Sequence, residues 1–76
     1  MDVDEAKNLI RAAAIERAAE GQQVTVTLGP SQDYPAYRCQ IVFEPSGPFL
    51  GFGGARDLAA MVSMMKLLLS QLPLRT

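Results

Sequence analysis

The chain has 76 residues, half of the roughly 150 of an average domain, so it has room for one hydrophobic core over 1–76 and none for a second. Seven Lys and Arg against eight Asp and Glu leave a net charge of -1, with 49% hydrophobic and 20% charged residues, which excludes a disordered polyelectrolyte and provides no field to gather nucleic acid. With no His, no Trp and one Cys, the chain has no means to build a His-assisted nucleophile, a His-bearing zinc site or an internal disulfide.

The first element reads as a helix from Val3 to Glu20. Asp2 is placed to accept from the Glu5 amide while Glu5 reaches back, the Asp variant of a capping box, and Gly21 supplies a left-handed stop. At about 100° per residue, Val3, Ala6, Leu9, Ile10, Ala13 and Ala14 form one stripe, and Ile15 falls on the opposite, solvated face. Gln23 to Leu28 alternates with period two and predicts a strand with Val24, Val26 and Leu28 inward. Gly29 to Pro35 holds turn residues and two prolines and predicts a loop, which carries Asp33.

The second strand is expected over Ala36 to Glu44, with Tyr37, Cys39, Ile41 and Phe43 on one face and Arg38, Gln40, Val42 and Glu44 on the other. Pro45 to Pro48 makes a tight reversal into a short edge strand, Phe49 to Phe52, which Gly53 and Gly54 end. The last element reads as a helix from Ala55 to Leu72, stopped by Pro73, with Leu58, Met61, Val62, Met65, Leu68, Leu69 and Leu72 in one stripe. Met64 and Leu67 flank that stripe, so its apolar surface is wider than the usual face of about 100°. The expected fold class is α+β: a three-stranded antiparallel sheet with two helices packed on one face, in the order α-β-β-β-α.

Little here points to chemistry. Gly51-Phe52-Gly53-Gly54-Ala55-Arg56, between a strand and a helix, could cradle a phosphate, but a Walker loop needs a Lys and a Ser or Thr after its last Gly, and Asp57 would repel an anion. Cys39 shares a face with Ile41 and Phe43, where a thiol behaves as a small buried hydrophobe, and no cation is adjacent on that face because Arg38 points the opposite way. The carboxylates cluster at helix termini and edges, where helix stabilisation explains them. No catalytic residue, cofactor or metal is expected. The acidic start Met1-Asp2-Val3-Asp4-Glu5 is unlike the basic and then apolar opening of a signal peptide. The apolar run from Leu58 to Leu69, broken by Ser63 and Lys66, falls short of the roughly 20 residues that span a bilayer, so a cytoplasmic protein without a membrane segment is expected.

The order helix, strand, strand, strand, helix resembles the double-stranded-RNA-binding domain, which reads A-form geometry through 2′-hydroxyl and phosphate contacts. Gly29-Pro30 looks like that family's Gly-Pro loop, and Gly51-x-Gly53 running into a helix looks like the start of its G-x-G-x-[ST]-K-K-x-A-K signature. Arg56 falls on the first Lys of the signature, but Asp57 and Ala60 fall where its other phosphate-binding lysines stand. The resemblance therefore implies a similar architecture without the RNA-binding chemistry, and nucleic acid is not the expected partner.

What remains is a protein-binding module. In size, acidity and lack of any enzyme motif the chain is similar to the small phage-encoded anti-CRISPR inhibitors, a likeness that implies a stoichiometric inhibitor occupying a surface of a CRISPR effector complex. The residues it implies for partner contact are Asp33, Arg38, Glu44, Arg56 and Asp57. A net charge of -1 is too weak for imitation of a phosphate backbone, so steric or specific contacts are expected. Surplus apolar surface at Ile15, Phe49, Met64 and Leu67 suggests self-association as a homodimer. The alternative is a degenerate double-stranded-RNA-binding domain that binds RNA weakly or serves as a dimerisation or adaptor module.

Overall fold

The computed structural model describes residues 1–32 and 35–72. The chain runs α1 (Val3–Ile15), β1 (Gln23–Pro30), β2 (Tyr37–Glu44), β3 (Phe49–Ala55) and α2 (Leu58–Leu69), an α+β fold in the expected order. The three strands form one antiparallel sheet in the order β1-β2-β3, so β2 is central and both neighbours are edges. Both helices lie on one face: α1 packs on β1, α2 covers β2 and β3, and the two helices pack against each other. No helix among the described residues is long and apolar enough to cross a membrane.

Period-two alternation determines which side of the sheet is buried. Val24 and Val26 of β1 and Cys39, Ile41 and Phe43 of β2 point under the helices, with Leu28, Tyr37, Leu50 and Phe52 packed at the margin. The helices close this layer with Ala6, Ile10 and Ala14 of α1 and Met61, Val62, Met65 and Leu69 of α2. Alanines at two of the three buried α1 positions let that helix sit close to the sheet and to α2, while the bulkier α2 fills the wider space over β2 and β3. Leu9, expected in the inward stripe of α1, is instead 38% exposed, because the inward face of α1 narrows to the Ala6, Ile10 and Ala14 line.

The helices are shorter than the sequence suggests, α1 at its end and α2 at both ends. α1 begins as expected, with the Asp2 carboxylate accepting from the Glu5 amide at 2.8 Å. It ends at Ile15 rather than Glu20, since the Arg17 and Ala18 amides donate to carbonyls three residues back, at Ala14 and Ile15, and tighten the chain out of the α ladder. Gly21 does take a left-handed conformation (φ 84°), but it turns the chain into β1 instead of stopping the helix. α2 closes the same way: the Gln71 and Leu72 amides donate to Leu68 and Leu69, so the helix stops at Leu69 instead of Leu72. Pro73, expected as its stop, lies outside the described residues. The Arg17 guanidinium donates to the Leu72 carbonyl at 2.8 Å and ties the ends of the two helices together.

The two edge strands are longer than expected, and the central one starts a residue later. β1 runs through Gly29 and Pro30, which pair with Arg38 and Tyr37 instead of lying in a loop, and β2 starts at Tyr37. β3 passes through Gly53 and Gly54 to Ala55, because Gly53 pairs with Arg38 and Ala55 with Tyr37, leaving Gly54 as the extra residue of a β-bulge. Gly54 takes φ 102°, which a glycine adopts without strain. α2 therefore begins at Leu58 rather than Ala55. In the β2–β3 hairpin the Glu44–Pro45 peptide is cis, and the Gly47 amide donates to the Phe43 carbonyl at 2.9 Å. A side chain at Gly47 would collide with the Cβ and carbonyl of Phe43 and with Gln22, so glycine is required there by close approach.

Candidate functional site: the uncovered sheet face

The helices cover one side of the sheet and leave the other bare. On β2 that side presents Arg38, Gln40, Val42 and Glu44, as the alternation predicts. Cross-strand register then assigns their neighbours. Gln23 lies opposite Glu44, Val42 stands between Thr25 and Phe49, Gln40 between Thr27 and Gly51, and Arg38 between Gly29 and Gly53. Arg38 thus has glycine on both sides of its row, and a Cβ at either glycine would meet nothing within 4 Å. No side chain therefore stands directly opposite Arg38 on either neighbouring strand.

Phe49 sits two rows from Arg38 on the same face, opposite Val42, and is 61% exposed. Its ring folds back over Gly51, where an added Cβ would lie 3.4 Å from it, so the aromatic covers the bare backbone beside it and still turns most of its area to solvent. Arg38 and Gln40 form a ridge with a shallow bay on each side. One bay, about 510 Å³, is floored by Gly51 and Gly53 and bounded by Phe49; the other, about 250 Å³, is floored by Gly29 and bounded by Thr27 and Pro30. An aromatic surface, an unpaired-row cation and amide and hydroxyl groups on a flat platform can bind an extended or flat partner by packing and hydrogen bonding.

The sequence-predicted contact residues divide between places. Arg38 and Glu44 are exposed on this face, at opposite ends of β2. Arg56 is exposed in the bend between β3 and α2, beyond the platform. Asp57 is the N-cap of α2, and its carboxylate accepts from the Ala59 amide at 3.0 Å. Asp33 lies outside the described residues. The phosphate cradle suggested by Gly51 to Arg56 does not form. Gly51, Gly53 and Gly54 belong to the β3 ladder and its bulge, and the Asp57 carboxylate occupies the place an anion would take at the helix start.

The four residues expected to self-associate are also dispersed. Phe49 is on the bare face; Ile15, Met64 and Leu67 are on the helices across the sheet. Ile15, 55% exposed, lines a groove between α1 and β1 with Arg11, Gln23 and Thr25. Leu67 is 56% exposed, whereas Met64 is half-buried. Cys39 is fully buried under the helices, and burial pushes its thiol from 9.0 up to about 11, which keeps it protonated and poorly nucleophilic at neutral pH.

Gln40, Gly29 and Gly53 complete the platform; Gln40 was not singled out by the sequence, and Gly29 and Gly53 were read there as loop and cradle glycines, not as contact positions. Gln40 is detectable there as an outward position of β2, but the two glycines become part of the site only through the pairing register, which no local pattern specifies. Comparison with protein families, curated proteins and solved structures finds no match to this chain.

Proposed function

We propose that this chain is a non-enzymatic protein-binding module that docks through the uncovered face of its sheet. The supporting observation is Phe49, an aromatic left 61% exposed on the same face as the glycine-flanked Arg38, a face that no helix or strand among the described residues covers. Aromatic and Arg side chains are the residues most enriched at binding hot spots, and a rigid sheet presents them with little entropy left to lose. The finer reading is a small stoichiometric inhibitor, anti-CRISPR-like, that blocks a surface of a larger nucleoprotein complex by specific contacts; the small size and weak charge of the chain support it.

The test is capture from lysate with the tagged protein, before and after nuclease, alongside an Arg38→Glu/Phe49→Ser variant. Both substitutions lie on the solvent side of the sheet, so the fold should be preserved, as circular dichroism will check. The expected result is a discrete protein complex that survives nuclease and is lost with the variant. Capture that disappears on RNA digestion and weakens steeply with salt would overturn the proposal in favour of a degenerate double-stranded-RNA-binding domain.

A further inference from the structure

We infer that β3 is a homodimerisation edge: a second copy of the chain adds to it antiparallel about a two-fold axis at Gly51, joining two three-stranded sheets into one. This inference concerns the chain alone and stands whether or not the partner reading holds.

The hydrogen-bond alternation of the sheet identifies the groups that are available. The Phe43 amide donates to the Pro48 carbonyl, so in the antiparallel β2–β3 ladder Ile41 with Leu50 and Cys39 with Phe52 are the hydrogen-bonded pairs. The N–H and C=O groups of Phe49, Gly51 and Gly53 therefore turn outward to the free edge. The Ser31 amide donating to Ala36 determines the same alternation on the other side, with Arg38, Gln40 and Val42 bonded to β1, so each residue of β2 is used once.

Edges of this kind are normally blunted by charge or proline. The strand from Phe49 to Ala55 has neither, and its bulge lies at its far end, at Gly54. It is also self-complementary. Antiparallel pairing centred on Gly51 matches every outward-directed residue: Phe49 of one protomer faces Gly53 of the other, Gly51 faces Gly51, and Gly53 faces Phe49. The exposed ring of Phe49 then meets the one type of residue that leaves it room, since the space above Gly53 is empty. On the helix side Leu50 comes opposite Phe52, both already at the margin of the core.

The charges at the two ends of the strand favour the antiparallel sense. Glu44 is next to the hairpin that opens β3, and Arg56 follows its last residue. Antiparallel addition brings the Glu44 end of one copy to the Arg56 end of the other, twice, whereas parallel addition would align like ends. Asp57 is also at the Arg56 end, but its carboxylate already accepts from the Ala59 amide. A seven-residue strand is about 23 Å long, and its edge with one aromatic buries less than the ~800 Å² per partner of a standard interface, so the dimer belongs to the weaker, concentration-dependent class.

Light scattering and sedimentation of the purified chain from low micromolar to submillimolar concentration test this directly. The expected mass rises from one chain to two and stops there. Gly53→Glu places a carboxylate where Phe49 of the other copy would pack, in space that is open in the single chain, and should leave a folded monomer at every concentration. Gly51→Pro removes the outward amide at the axis while sparing the β2 ladder, and should do the same. Thermal melts establish that each variant is folded, and if Gly51→Pro is not, Gly53→Glu carries the test. A wild-type chain that stays monomeric throughout, a dimer that persists in folded Gly53→Glu, or assembly that continues past two chains overturns the proposal.

Discussion

Cys39 shows how far one side chain is determined by its strand parity. Its position between Arg38 and Gln40, which both face solvent, puts it under the helices, and this was legible from alternation alone. The energetic consequence follows from the raised thiol. The folded state keeps the proton to about pH 11, whereas the unfolded chain releases it near 9.0. Above pH 9 the unfolded state therefore binds fewer protons than the folded state, and stability falls with rising pH; below 9 both states are protonated and the contribution is constant. Denaturant titrations of wild type and Cys39→Ala from pH 8 to 11 should show wild type losing on the order of 2 kcal/mol relative to the variant across that window. Parallel curves would mean the thiol titrates equally in both states. Gly47, by contrast, gave no sign in the sequence of why glycine is required, because the obstacle is Phe43 together with the side chain of Gln22, from the connection between α1 and β1.

At the scale of elements, type and order could be read from the sequence, but ends could not. Gly21 as a stop points to Glu20 for the end of α1, and the apolar period points to Leu72 for α2, although bonds to the third residue back close both helices earlier. The start of α2 was misplaced for a different reason. Two glycines in succession resemble a strand terminus, yet Gly54 is a bulge that carries β3 on to Ala55 and hands the cap to Asp57. If Asp57 serves as a cap and not as a partner contact, Asp57→Ala should cost about 1 kcal/mol in chemical denaturation, and Asp57→Asn, which retains an acceptor oxygen, should cost much less. The same two variants should capture partner as wild type does. Lost capture at unchanged stability would instead assign the carboxylate to the interface.

The molecule as a whole divides its apolar residues between two roles, and sequence reading separated them only in part. Inward stripes on α2 and the strands were legible because period and parity are local; the exposure of Leu9 was not, because it depends on how closely α1 approaches the sheet. The candidate site was legible to the same degree. Arg38 and Glu44 were placed outward by parity, but the flanking glycines required the register. This division makes a sharp prediction about stability. A core supplied by fewer than about 80 residues rarely yields more than about 3–5 kcal/mol. Ile10 is fully buried at the centre of α1, and Ile10→Ala should cost about 2–5 kcal/mol, enough to leave much of the chain unfolded at 25 °C. Phe49→Ser and Leu67→Ser remove side chains of similar or greater size that face solvent in the single chain, and each should shift the stability of the monomer, measured at low concentration, by no more than about 0.5 kcal/mol. At high concentration the two should diverge: Phe49→Ser alone loses the extra stability that dimerisation at β3 confers by mass action, so its melting temperature ceases to rise with protein concentration while that of Leu67→Ser still does. Equal behaviour of the two variants would remove Phe49 from the interface and leave it one exposed hydrophobic side chain among several.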